Sequence, residues 1–203
     1  MESVAYTFIH QYGWRITFEE APLRYSGDVV DVTRDFSLGT RAYNPRGGRL
    51  EFSYDLGTNA KPDPEQVLRT AIEAYHRAGL PGRYEVIRAE NYLHIVPTAS
   101  ANKDGVVEPV RSPFDVAVTV DGAGRFPEPV LNDLASSIQA ASGYKIFVGQ
   151  TPFLQGIQPR IERRFENMQA RAILRALIAA TGEVRIWYLM YAIRQKGYAL
   201  SVL

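Results

Sequence analysis

Tyr12-Gly13-Trp14-Arg15-Ile16-Thr17-Phe18 and Ser142-Gly143-Tyr144-Lys145-Ile146-Phe147-Val148 carry a glycine, an aromatic residue, a base and an isoleucine in the same order. Each follows a stretch with apolar residues near the 3.6-residue helical repeat: Val4, Phe8, Ile9 and Tyr12 before the first, Leu131, Leu134, Ile138 and Ala141 before the second. A glycine just past such a stripe is a helix stop, because it takes the left-handed C-cap conformation without steric cost. The two stretches therefore read as helix, stop and strand, occurring twice.

Downstream the parallel continues. Leu50 to Tyr54 alternates with the period of a strand, and Val67, Leu68, Ala71, Ile72 and Tyr75 then give a helical face that Pro64 opens and Gly79 closes. In the second half Ile161 to Phe165 reads as the short strand, with Ala170, Ile173, Leu174, Leu177 and Ile178 as the helical face and Gly182 as its stop. Each half closes on a hairpin, Tyr84 to Arg88 turning into Tyr92 to Val96, and Val184 to Ile193 turning into Tyr198 to Leu203. The expected class is α+β: two tandem small modules, each of two helices packed with small mixed β-sheets.

The first module spans residues 1–98 and the second 114–203; residues 99–113, rich in small, polar and proline residues, read as the linker. Gly13 and Gly143 lie farther apart than Gly79 and Gly182, which puts an insertion at residues 19–48 of the first module. A strand at Phe114 to Val120 opens the second module and has no counterpart in the first, so the first is expected to be N-terminally incomplete.

Composition sets limits on function. Of 203 residues, 46% are hydrophobic and 22% charged, enough to build two cores of about 100 residues each. Lys and Arg total 23 against 22 Asp and Glu, a net charge of +1, so no broad field draws nucleic acid and none is expected as a partner. The chain has no cysteine, which removes disulfides, thiolate chemistry and Cys-ligated zinc. No apolar run reaches the ~18 residues of a membrane span, so no transmembrane segment is expected. The N-terminus lacks the basic start and apolar core of a signal peptide. With the missing first strand, this suggests an exported protein whose signal precedes the present sequence, a cytoplasmic location being the alternative.

The second module resembles the short N-terminal domain shared by secretins and TonB-dependent outer-membrane transducers. The residues that carry the resemblance are the strand Phe114 to Val120, the helix Val130 to Ala141, Gly143-Tyr144-Lys145-Ile146-Phe147-Val148, Arg164-Phe165-Glu166-Asn167-Met168, the helix Ala170 to Ile178 with Thr181-Gly182, and the closing hairpin. The first module is a looser version. The resemblance implies a location in the bacterial periplasm and docking on a protein partner in the cell envelope, a second copy of the chain included. The secretin ring or outer-membrane barrel that follows this domain in the family has no counterpart here, so secretion and transport are not implied.

Chemistry concentrates in the insertion, where Glu19, Glu20, Asp28 and Asp31 accompany Arg24 and Tyr25. Paired carboxylates can act as general acid and base or hold a hard cation. No calcium-loop spacing is present, so neither a metal nor a catalytic residue is expected, and Trp14, Glu19, Tyr25, Asp28 and Asp31 are marked for ligand contact. Three readings stay open: a non-enzymatic envelope interaction or ligand-docking protein; a carbohydrate-binding or hydrolytic protein using residues 19–31; and RNA binding, from the KH-like Gly79-Leu80-Pro81-Gly82. That last stretch joins a helix to a strand and reads first as a tight turn. Gly122-Ala123-Gly124-Arg125-Phe126-Pro127 imitates a dinucleotide loop but has proline in place of its third glycine, so no cofactor is expected. His10, His76 and His94 are each isolated. Trp187-Tyr188-Leu189-Met190-Tyr191 is a strand covered on both faces or, through Trp187, Tyr188 and Tyr191, an interface.

Overall fold

Gly13 ends the first helix in the left-handed conformation (φ 67°), its N–H donating to the Ile9 carbonyl at 2.8 Å. Gly143 (φ 76°) ends the third helix in the same way on the carbonyl of Gln139. In this computed structural model, which describes residues 1–35, 42–55, 62–149, 151, 159–182 and 186–203, the elements fall into two units, Met1–Arg111 and Ser112–Leu203.

The first unit contains α1 (Glu2–Tyr12), β1 (Ile16–Glu19), β2 (Val29–Asp31), β3 (Tyr43–Pro45), α2 (Pro64–Arg77), β4 (Arg83–Ala89), β5 (Tyr92–Ala101) and β6 (Val107–Pro109). β4 and β5 form an antiparallel hairpin, and β1 lies parallel to β5 on its other side, with Ile16 opposite Leu93 and Phe18 opposite Ile95. Within the insertion β2 and β3 pair antiparallel; residues 36–41 lie outside the described residues. The Asp63 carboxylate accepts the Glu65 N–H at 3.0 Å to cap α2, Pro64 fills its first turn, and Val67, Leu68, Ala71, Ile72 and Tyr75 are buried as the spacing predicts.

Two expectations for this unit change. Leu50 to Tyr54 joins no ladder. Its alternation arises because Phe52 and Tyr54 turn their rings edge-on to Phe8 of α1, and the Tyr54 hydroxyl meets that of Tyr12 at 2.9 Å. Residues 99–113 are not simply a linker. β5 runs on to Ala101, Asn102 accepts the N–H groups of Asp104 and Val106 to close a turn, and β6 returns antiparallel to Ala99–Ala101.

The second unit contains β7 (Ala117–Asp121), α3 (Pro127–Ser142), β8 (Lys145–Val148), β9 (Arg164–Gln169), α4 (Ala170–Ala180), β10 (Trp187–Ala192) and β11 (Gly197–Val202). β10 and β11 form an antiparallel hairpin with β8 parallel to β11, Ile146 opposite Tyr198, which repeats the pattern of β4, β5 and β1. β7 and β9 pair separately. α3 and α4 pack together and fully bury Leu131, Leu134, Ile138, Ile173, Leu174 and Leu177; each such side chain stabilises the fold by about 1.5–3 kcal/mol. The strand expected at Ile161 to Phe165 starts instead at Arg164, because Ile161 commits its main-chain N–H and C=O to Arg125 and Gly124. The start of the last hairpin, at residue 184, lies outside the described residues.

The class is therefore α+β. Among the described residues no helix is long and apolar enough to cross a membrane.

Candidate functional site

From β1 the chain runs through buried Ala21 and Leu23, the Ala21 N–H donating to the Tyr84 hydroxyl at 3.2 Å. It then makes one 3-10 turn over Ser26–Asp28, closed by the Asp28 N–H on the Tyr25 carbonyl at 3.0 Å, and reverses into β2. This reversal sets Tyr25 and Asp28 at one recess of about 150 Å³. The loop Gly79–Gly82 makes the facing wall, and the end of β5 with Gly105 makes the third.

That wall is held from several directions. The Tyr75 hydroxyl donates to the Pro81 carbonyl at 2.7 Å, Arg46 Nη2 to the Gly79 carbonyl at 2.8 Å, and Arg83 Nη1 to the Gly82 carbonyl at 3.2 Å. Gly82 sits at φ 82°, and a Cβ there would lie 2.9 Å from both Ala21 Cβ and the Tyr84 hydroxyl. The loop is thus a tight turn fixed by glycine, joining α2 to β4.

Asp28 is only 7% exposed, and no hydrogen bond or ion pair ties its carboxylate to the described residues. Burial pushes its pKa up, against the pull of the Arg46 and Arg83 guanidiniums. Tyr75 behind the loop is also pushed up by burial, helped by the charges of Glu20 and Asp28. His76 accepts the Tyr84 backbone N–H on Nε2 at 3.0 Å, so its proton sits on Nδ1; burial and then Arg83 hold its pKa down.

The other residues marked for ligand contact lie elsewhere. Glu19 is fully buried and engaged inside the chain. Asp31 accepts the backbone N–H and the hydroxyl of Thr33, which makes it a turn residue. Trp14 stacks on Tyr12 and Phe8 at 4.8 and 5.1 Å and borders a separate open groove of about 380 Å³ with Arg15, Arg88 and Asn91. Trp187, Tyr188 and Tyr191 are all buried, so their rings are covered by the chain itself. His94 is fully buried, its Nδ1 2.7 Å from the Thr17 hydroxyl, while His10 is an exposed helical residue whose ring lies tilted against that of Tyr6.

Arg83 and Ser100 complete the recess and were not marked in the sequence. The available signal was the pair of glycines around Leu80-Pro81, which fixes a loop but names no ligand. Among the described residues Asp28 is the one carboxylate lining the recess, and no group of three or more His, Asp or Glu side chains is placed to hold a metal ion. Comparison with known proteins returns no match to any family model, curated protein or solved structure.

Proposed function

We propose that this chain is a non-enzymatic ligand-docking protein of the bacterial envelope, built from two diverged modules of the secretin/TonB N-terminal type and binding its ligand in the first unit at Tyr25, Asp28 and Arg83. The observation that carries the docking reading is Asp28, a residue only 7% exposed at the edge of a cavity, whose carboxylate takes no donor among the described residues. Burial at the recess disfavours the charged form of this carboxylate, and a ligand donor entering there offsets that cost. Binding is favoured over hydrolysis because two-carboxylate acid and base work on one bond needs a second carboxyl group facing the same space, and among the described residues Asp28 is the one carboxylate lining it. The envelope assignment and a protein partner rest on the family resemblance, supported by the three-strand pattern common to both units.

The test is retention. The purified chain is mixed with a small-molecule extract of the envelope, re-isolated by gel filtration and denatured, and what it releases is read by mass spectrometry. A compound retained by the parent, absent from Asp28→Leu and unchanged in mass is the expected result. Equal retention by both proteins refutes the site, and an Asp28-dependent change in mass refutes a non-enzymatic role. Recovery of the natural protein only in the cytoplasmic fraction refutes the envelope assignment.

A further inference from the structure

We propose that the recess binds a neutral diol, the paired hydroxyls of a sugar residue or polyol, with Asp28 accepting from one hydroxyl, Arg83 donating to its neighbour and the Tyr25 ring lying against the ligand's C–H face. The inference rests on the docking reading above and gives it a ligand class.

Size is the first constraint. About 150 Å³ corresponds to roughly five waters at 30 Å³ each. That is room for one sugar edge or a short polyol and well below the ~300–1,000 Å³ of sites for larger ligands.

Charge is the second. Asp28 lies within the fields of Arg46 and Arg83. A cation entering beside the carboxylate meets two guanidiniums, and an anion drawn by the guanidiniums meets a buried carboxylate. A neutral ligand that both gives and takes hydrogen bonds avoids both penalties.

The polar groups are also spaced for such a ligand. Asp28 is acceptor-only when ionised, whereas Arg83 is donor-only, with Nη1 directed to the loop carbonyls and further N–H groups on the same planar fork. Ser100, 3% exposed, adds a hydroxyl to the lining. The remaining wall is carbon-rich, from Leu80, Pro81, Ala99, Ala101 and Val107.

Tyr25 is pre-placed. Its ring lies over Gly27 and Gly105, where a Cβ on Gly105 would come 3.1 Å from Cε2 and a Cβ on Gly27 would overlap the ring outright. Two glycines thus leave space for one aromatic side chain, which is 37% exposed and so presents part of its surface outward. A ring already fixed in place loses little freedom on binding.

The experiment uses the full chain and saturation-transfer NMR followed by titration. The probes are three methyl hexopyranosides differing in hydroxyl stereochemistry, the matching deoxy sugars, an open-chain hexitol, propylammonium, propionate and propionamide. Asp28→Asn, Arg83→Met and Tyr25→Leu are compared with the parent, each first shown by its thermal melt to be folded. Tyr25→Leu guards against loss of fold at the two buried-edge positions.

Expected is saturable binding of at least one diol, weakened about tenfold or more in Asp28→Asn and Arg83→Met and by removing one hydroxyl of the pair. Binding of the ammonium, carboxylate or amide probe in an Asp28-dependent way, with no diol bound, overturns the ligand class and leaves docking at the recess intact. Diol binding that is the same in all three variants overturns the inference. Failure of every probe to bind in an Asp28-dependent way overturns the ligand class, and equal retention in the extract experiment then overturns the site as well.

Discussion

Replacing Tyr75 by phenylalanine removes one oxygen from behind the candidate site. The lost hydrogen bond to Pro81, 2.7 Å long and buried, contributes about 1 kcal/mol, and a Pro81 carbonyl left unsatisfied costs roughly another 1–3 kcal/mol where water cannot reach it. Part of this is returned because the phenylalanine ring has no hydroxyl to desolvate, so we expect a net loss of about 1.5 kcal/mol. Unfolding of Met1–Arg111 carries an entropy of about 2.1 cal/mol/K per residue, so this loss lowers its melting temperature by roughly 6 °C. Scanning calorimetry at pH 7 reads the shift. A second readout comes from alkaline pH. The folded-state pKa of Tyr75 is raised, so its neutral form is favoured in the folded protein and the parent loses stability as pH climbs past the ordinary value of about 10. The Tyr75→Phe variant has no such loss, and the gap between the two proteins narrows as pH rises from about 9 to 11. A variant within about 0.3 kcal/mol of the parent, with a gap indifferent to pH, would falsify the claim that this hydroxyl anchors the loop.

His76 and Asp28 bring opposite pH dependences. The folded pKa of His76 is lowered, so its contribution is complete above about 6.5 and fades as pH falls toward the folded value. His76→Gln, which keeps an acceptor for the Tyr84 N–H, should remove part of the loss in urea midpoint between pH 7 and 5; an unaltered pH profile counts against this. The folded pKa of Asp28 is raised, so its burden appears as pH rises through its titration. Asp28→Asn should then be more stable than the parent at pH 7, with the two converging toward pH 3; a less stable variant at pH 7 contradicts it. Asp115→Ala takes from the buried Arg171 a carboxylate 2.8 Å away and removes a capping box with Ser112. Breaking a buried pair costs about 3–5 kcal/mol, and with Asp115 one-third exposed we expect about 2–3 kcal/mol by urea denaturation. Gly143→Ala meets no atom within 4 Å, so its cost is the left-handed backbone alone, about 1–2 kcal/mol; a neutral result means the cap has rearranged.

How far the fold was legible follows from what kind of force each segment obeys. The helices and both hairpins were readable because their signals are local: a 3.6-residue stripe, a proline at the start, a left-handed glycine at the end. Leu50 to Tyr54 misled because alternation records which side chains find cover and not what the backbone pairs with. There the cover is Phe8, from a helix at the far end of the unit's sequence. β9 was displaced for a related reason, since Ile161 satisfies its main chain on the loop at Gly124 and Arg125. Among the ligand residues, Tyr25 and Asp28 share a recess because a single 3-10 turn lies between them. Glu19 was lost to the core: β1 is buried along its whole length, so strand alternation gives no outward face to its last residue. Arg83 and Ser100 reach the recess from β4 and β5, through long-range pairing that no spacing rule reports.

The parallel pairing of β1 with β5 has a consequence for how the first unit assembles. Thr17 and His94 meet across 77 positions of chain, so that strand can dock only after a large loop closes, whereas β4 and β5 need only their own turn. Contacts of such sequence separation slow folding, which makes the hairpin with α2 the expected early structure and β1 a late arrival. Yet closure entropy grows only with the logarithm of loop length. Compared with the shorter closure between Ile146 and Tyr198, the longer one costs only about 0.3 kcal/mol more. Lengthening the stretch between β1 and α2 therefore changes stability very little, which makes this connection a place where new side chains can accumulate beside a fixed sheet while the fold around them stays intact.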